Sequence, residues 1–197
     1  MKYIVLEGVD NCGKSTIAKE LNKRLSNSVV IQEPSKEGKL RDIILNDKIN
    51  DYTRQLLLIA SRNETLLRQV YPYKYTDKII ISDRNYLSQL VYCDYKSFDM
   101  VFELNRQFMR EYKPDITFII DVPNDILLER ANNSQELNKL DSLDYDIINS
   151  RVMRYSDMGS LLAEKYDHYI FHIDGTQSIK DIVDFMVEYI DNIREKI

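Results

Sequence analysis

An α/β fold built on a parallel sheet follows from three features of the chain. Short β-rich runs alternate with longer stretches of helical period. Several of those runs are continuously apolar, as strands covered on both faces require. The first run leads straight into a glycine-bearing loop and then into a helical stretch.

Taken in order, "YIVLE" (3–7) predicts the first strand and residues 14–25 the first helix. "VVIQ" (29–32) predicts the second strand, and a helix carrying the block "LLLIA" is expected over 51–71. "KIIIS" (78–82) reads as a third strand. Over 98–112, Phe98, Val101, Phe102, Phe108, Met109 and Tyr112 recur at three- and four-residue steps, which puts them on one helical face. "ITFIID" (116–121) and "YIFHI" (169–173) predict the last two strands. Ile179, Ile182, Val183, Met186, Ile190 and Ile193 give a closing helix over about 178–194. There is no internal repeat and no Pro- or Gly-rich linker. The one shift of composition is "ANNSQELNKLDS" (131–142), which reads either as a surface loop or helix end, or as a lid over a site.

At 197 residues the chain fits one domain with a substantial core, and 44% hydrophobic with 30% charged residues is ordinary for a soluble protein. A net charge of −5 argues against a broad nucleic-acid-binding surface. Two cysteines, Cys12 and Cys93, make no disulfide framework, which favours a reducing, cytoplasmic setting. The opening "MKYIVLEG" is too short for a signal-peptide core, and no apolar stretch approaches the ~20 residues of a membrane helix.

The chemistry begins at Gly8-Val9-Asp10-Asn11-Cys12-Gly13-Lys14-Ser15, followed by Thr16, a Gly-x4-Gly-Lys-Ser phosphate loop between a predicted strand and a predicted helix. Glycines 8 and 13 let successive backbone N–H groups face an anion, and the helix start adds its positive end. Lys14 is expected to reach the β- and γ-phosphates of a nucleoside triphosphate, and the Ser15 hydroxyl to ligate Mg²⁺. The fold expected is therefore a three-layer P-loop fold. Asp83 and Arg84 close the third predicted strand. Since ligand sites of open α/β sheets lie beyond the strand carboxyl ends, Asp83 is a candidate for Mg²⁺ and Arg84 a candidate clamp on an anionic acceptor. A structural ion pair at a strand end is the plainer reading of the same two residues.

In these motifs the sequence resembles the thymidylate kinase family of nucleoside-monophosphate kinases, over nearly the whole chain and in order. "YIVLEGVDNCGKST" is similar to the family's first strand, loop and helix, with Asp10 as the acidic loop residue, and "QEP" (32–34) to the segment reaching the acceptor phosphate, which brings in Glu33. "LLLIASR" (56–62) resembles the helix whose arginine, here Arg62, contacts the acceptor base. "SDRNYLSQLVY" resembles the Asp-Arg motif followed by a serine and a tyrosine, here Ser88 and Tyr92, with Gln89 beside them. "KPDITFIIDVP" is similar to the fourth strand, and Arg130 through "LDSLD" falls where the family has its lid, about 130–144.

The resemblance implies a five-stranded sheet of order 2-3-1-4-5 flanked by helices, and commonly a homodimer, for which the helices near 51–71 and 98–112 are candidates. It implies transfer of the ATP γ-phosphoryl group to the 5′-phosphate of a deoxynucleoside monophosphate, with dTMP to dTDP as the expected reaction. Arg62 and Arg84 would hold the acceptor, and Asp144 is a candidate to approach its sugar and base, although it reads equally as a helix-start charge.

Two departures from the family pattern stand out. Many members carry an arginine in the phosphate loop where this chain has Asn11, so the charge on the migrating group falls to Arg130, Arg84, Lys139 or a combination. Such an arginine can be worth ~10³–10⁵ in rate in related systems. The aromatic residue that usually stacks on the base is replaced by Leu58, four positions before Arg62, which leaves another base preference open. A deoxynucleoside kinase is the alternative reading, with Glu7 or Glu33 taking a proton from a nucleoside hydroxyl. A nucleotide switch is disfavoured because no "NKxD"-like stretch is present. Cys12 reads as a small tolerated residue, and His168 and His172 as structural.

Overall fold

The computed structural model describes residues 1–37, 39–45, 48–133 and 144–194. Five strands, β1 (Lys2–Glu7), β2 (Ser28–Gln32), β3 (Ile79–Asp83), β4 (Ile116–Asp121) and β5 (Ile170–Asp174), form one all-parallel sheet of order β2-β3-β1-β4-β5. The order is the one the resemblance implies, and the strand limits agree with the apolar runs to within a residue. Val5, Leu6, Ile80, Ile81 and Phe118 are fully buried. Burying such side chains supplies about 1.5–3 kcal/mol each, which is why continuous rather than alternating apolar runs mark these strands.

Register decides where the chain leaves the sheet. Leu6 lies opposite Asp83, and Asp83 opposite Gln32. The ladder runs one step further, with Glu33 N donating to Asp83 O and Arg84 N to Leu6 O, both at 3.0 Å. The phosphate loop, Glu33 and Arg84 therefore emerge side by side at one edge.

The first helix, α1 (Lys14–Arg24), buries Ile17, Ala18 and Leu21 on one face and packs against the last, α8 (Ile179–Arg194), which buries Ile182, Val183, Met186 and Ile190. Of the others, α2 (Leu40–Ile44) is short and α3 (Asp51–Thr65) starts on Asn50, whose side chain accepts from Thr53 N. The helix expected over 51–71 stops early: it passes into a π-helical turn (Leu66–Val70) and a 3₁₀ turn (Tyr71–Tyr73). Pro72 explains this, since it has no N–H for an α-helical bond, and Tyr71 N instead reaches back to Leu66 O.

Next come α4 (Tyr86–Tyr92), α5 (Phe98–Glu111), α6 (Asn124–Asn133) and α7 (Tyr145–Tyr166). Apolar periodicity anticipated α5 alone among these. The helix α4 packs on α5 and α7. The helix α7 buries only Ile148, Tyr155, Gly159 and Leu162 over its 22 residues, too sparse a stripe to stand out in the sequence. Of the polar stretch 131–142, residues 131–133 close α6. Lys139, Asp141 and the remainder of the lid expected over 130–144, up to residue 143, lie outside the described residues. Among the described residues no helix is long and apolar enough to cross a membrane.

Candidate active site

The phosphate loop folds as its glycines dictate. Gly8 (φ 139°) and Gly13 (φ 102°) hold backbone conformations costly for other residues, and a Cβ on Gly8 would stand 2.8 Å from Ile120 O and 2.9 Å from Cys12 Sγ. Asn11 also takes a left-handed conformation (φ 65°), which asparagine tolerates better than most side chains. Lys14 Nζ donates to Val9 O at 2.7 Å and to Cys12 Sγ at 3.4 Å, so the lysine is folded back over the loop. No acidic side chain occupies the first turn of α1, which leaves that helix end to attract an anion. Gly8, Val9 and Cys12 shape the loop from beneath, Val9 and Cys12 being buried.

Next to the loop, Ser15 Oγ donates to Asp83 Oδ2 at 2.5 Å. A hydroxyl and a carboxylate thus meet at the start of α1, the oxygen donors a hard divalent cation takes. Among the described residues no cluster of three or more His, Cys, Asp or Glu side chains is placed to hold a metal. Two protein oxygens suit Mg²⁺, which keeps most of its shell as water and nucleotide phosphate.

A cavity of about 930 Å³ runs from this point past Arg84 to Arg62. Asp10, Asn11, Gly13, Lys14, Ser15 and Thr16 line its loop end; Glu33, Leu58, Arg62 and Gln89 line the far end; Asp83, Arg84, Ser88 and Tyr92 lie between. Arg130 also lines it, donating to Cys12 O at 3.3 Å and Gly175 O at 3.1 Å, across the roof of the loop. Asp144 is the N-cap of α7, accepting from Asp146 N at 2.9 Å and Ile147 N at 3.1 Å, the helix-start reading of that residue.

Arg84 has φ 74° and is held on several sides. Its guanidinium pairs with Asp10 Oδ1, donates to Ser88 Oγ at 2.8 Å and to Tyr155 Oη at 3.0 Å, and lies 5.1 Å from the Tyr92 ring centre. Tyr92 Oη donates to Asp10 Oδ2 at 2.9 Å. Burial alone would raise the Asp10 carboxyl, but Arg84, Lys14, the Tyr92 hydroxyl and Arg151 together hold it below its ordinary value. Beneath this group Glu7 is wholly buried, which pushes its carboxyl up, and it accepts from Asn85 N at 2.7 Å, Ser88 Oγ at 2.5 Å and Tyr155 Oη at 3.1 Å. A carboxylate so enclosed anchors Arg84 through Ser88 and Tyr155 and is not placed to act as a base.

At the far end Arg62 is itself buried. Its Nε donates to Glu33 Oε2 at 2.7 Å, and one terminal nitrogen donates to Gln89 Oε1 and Asn105 Oδ1, both at 2.6 Å. Gln89 Nε2 is turned to Gln55, at 2.9 Å from its O and 3.0 Å from its Oε1. Burial raises the Glu33 carboxyl while Arg62 pulls it back, and Glu33 Oε1 has no hydrogen-bond partner among the described residues.

Gln55 and Asn105 beside Arg62 were not anticipated, and neither were three further side chains. Arg41, on α2, lines the cavity and donates to Pro34 O at 2.6 Å. Arg151 and Tyr155, one turn apart on α7, reach the loop end, Arg151 lying 3.6 Å from Asp10 Oδ2. None carries a motif of its own; only the helical register of α2 and α7 would have shown them.

A strand-to-helix phosphate cradle, facing an arginine-lined acceptor end within one cavity, defines a P-loop phosphotransferase. Comparison with known proteins narrows this class. The thymidylate kinase family model matches residues 6–186. A thymidylate kinase of Helicobacter pylori (strain Shi470) is 28% identical over 192 residues, covering 96% of this chain and 98% of that one. One of Clostridium novyi (strain NT) is 31% identical over 195 residues, covering 91% and 93%. A solved thymidylate kinase of Candida albicans shares the fold, with a TM-score of 0.79 at 19% identity over 98% of this chain and 92% of that one. The chain belongs to the thymidylate kinase family.

Proposed function

We propose that this protein is an ATP-dependent thymidylate kinase that converts dTMP to dTDP. The observation that carries the reading is the single cavity joining the phosphate loop to Arg84 and Arg62, in a chain of this family. ATP lies with its phosphates in the loop at 8–16, served by Lys14 and the start of α1. Ser15 and Asp83 would hold Mg²⁺, which would supply positive charge against the triphosphate. Arg84 takes the acceptor 5′-phosphate, with Arg41 from α2 on the same wall. Asp10 and Tyr92 border the sugar, and Leu58, Gln89, Arg62 and Glu33 form the pocket for the base.

An acceptor phosphate oxygen attacks the γ-phosphorus as the bond to the β–γ bridging oxygen breaks, giving dTDP and ADP. The acceptor is already an anion, so no base is required. That agrees with the state of Glu7, whose carboxylate is spent on Asn85, Ser88 and Tyr155. It also removes Glu7 as the proton acceptor that a nucleoside kinase needs, which leaves that alternative to Glu33 and to the acceptor panel below. Arg130, which bridges the loop and Gly175, is the cation we assign to the migrating group. We further propose a homodimer through α3 and α5, which pack together and leave Tyr52, Leu56 and Leu104 exposed.

A panel of nucleosides and nucleoside monophosphates with Mg-ATP, reading ADP and the phosphorylated product, tests the assignment. Product from dTMP is expected, and Leu58 makes some turnover of other monophosphates compatible with it. Phosphorylation of thymidine without turnover of dTMP would overturn it.

A further inference from the structure

Arg151 is a cation of the cavity to which the proposed mechanism gives no task. Arg151 stands on α7 one turn before Tyr155, on the helical face that Ile148, Tyr155 and Leu162 share, and its side chain lines the cavity. Its guanidinium lies 4.4 Å from the centre of the Tyr92 ring and 3.6 Å from Asp10 Oδ2. Arg84 approaches the same two residues, 5.1 Å from the ring and paired with the other oxygen, Asp10 Oδ1. One carboxylate and one ring thus serve two guanidinium groups.

The charges make this arrangement informative. Asp10 with Arg84 alone is a neutral pair, and a neutral pair is a poor receptor for a phosphate. Arg151 adds a positive charge to that pair, beside Lys14, which also acts on Asp10, and against Glu7, which acts on Arg84. The sharing also fixes geometry, because Asp10 Oδ2 takes the Tyr92 hydroxyl at 2.9 Å as well as Arg151. The carboxylate is thereby held by both oxygens, and the ring is stacked against a planar cation.

We propose that Arg151 is a positioning residue for the acceptor nucleotide, acting through Tyr92 and Asp10 to hold Arg84 in an electropositive setting for the acceptor phosphate. The proposal rests on the reading that the acceptor occupies this end of the cavity. Arg151 comes from the helix that begins just after residues 134–143, so α7 takes part in substrate binding and does more than cover the sheet.

The test uses the full chain and its Arg151→Gln and Arg151→Lys variants. Initial rates are measured against dTMP at saturating ATP and against ATP at saturating dTMP, with melting temperatures alongside. Arg151→Gln is expected to raise KM for dTMP roughly tenfold, the scale of one partly desolvated cation–π and ion-pair contact. KM for ATP should stay within about twofold, and Arg151→Lys, which keeps the charge but loses the planar stack, should recover part of the loss. Tyr92→Phe should cost less in the Arg151→Gln background than alone, because the two act as a unit. An unchanged KM for dTMP overturns the proposal. So does a parallel rise of both KM values with a lowered melting temperature, which marks a scaffold residue, or a fall in kcat alone, which marks contact with the reacting atoms. Should Arg151→Gln fail to fold, Arg151→Lys and Tyr92→Phe decide by the same criteria. A wild-type chain that does not phosphorylate dTMP removes the underlying reading instead, and the proposal with it.

Discussion

Arg62 and Glu33 form a 2.7 Å ion pair whose side chains are only 2% and 4% exposed. The arginine that sequence resemblance assigns to base contact therefore also holds together α3 and the segment after β2. Breaking such a pair from one side leaves a buried charge without its partner. Arg62→Met is expected to destabilise the fold by about 3–5 kcal/mol in urea unfolding. The double change Arg62→Met with Glu33→Gln should cost distinctly less than the sum of the single ones. Additive losses would show that the two groups are not coupled.

Lys14 and Asn11 separate the two demands on the phosphate loop. Lys14→Ala should abolish transfer to within the detection limit of an ADP assay, while leaving the fold intact. Asn11→Arg should leave turnover unchanged or raise it. Its left-handed backbone (φ 65°) imposes about 1–2 kcal/mol of strain on an arginine there, visible as a lowered melting temperature. A large loss of activity in Asn11→Arg would show that the loop has no room for the longer side chain.

The Ser15–Asp83 contact predicts the metal dependence. Asp83→Asn keeps the volume but removes a charged oxygen ligand, so the Mg²⁺ concentration giving half-maximal rate should rise at least about tenfold. Ser15→Ala should move it in the same direction. An unshifted Mg²⁺ titration in both variants would place the cation elsewhere.

His172 and Asp121 pair at 2.7 Å across β4 and β5, and both are close to half exposed. The hydrogen bond that His172 donates to the Asp121 carboxylate raises the imidazole above its ordinary 6.5. A group raised in the folded state adds stability that is fully present below pH 6.5 and is lost as pH rises through the folded value. His172→Asn should therefore lower the melting temperature more at pH 5.5 than at pH 8.5. Solvent screening keeps the difference below about 1 kcal/mol. Equal effects at the two pH values would rule the pair out as a contributor.

Much of the architecture was legible in the residues. Five apolar runs marked five strands, most plainly β1, β3 and β4, whose burial on both faces favours apolar side chains nearly throughout. The periodic faces of 98–112 and 178–194 marked α5 and α8 for the complementary reason. Asp144 was legible as a helix-start charge and is the cap of α7. The π-helical turn at Leu66–Val70 was not visible, since apolar spacing runs through it unchanged; Pro72 was its only sign. His168 was read as structural, and it is buried between the Tyr86 hydroxyl at 3.2 Å and Met109 O at 3.3 Å.

What the sequence determined by itself is the phosphate cradle. Its glycines, lysine and serine occupy successive positions, and the backbone conformations they permit build the loop with little help from elsewhere. What only the tertiary structure decided is the company kept by each charge. Asp10 is shared by Arg84 and Arg151, Glu7 is enclosed by Ser88 and Tyr155, and Arg62 is tied to Glu33. These partners come from elements far apart in the chain, and they meet because the parallel register brings the ends of β1, β2 and β3 to one edge. Electrostatic pairing depends on distances of a few ångströms, and those are fixed by packing, not by spacing along the chain.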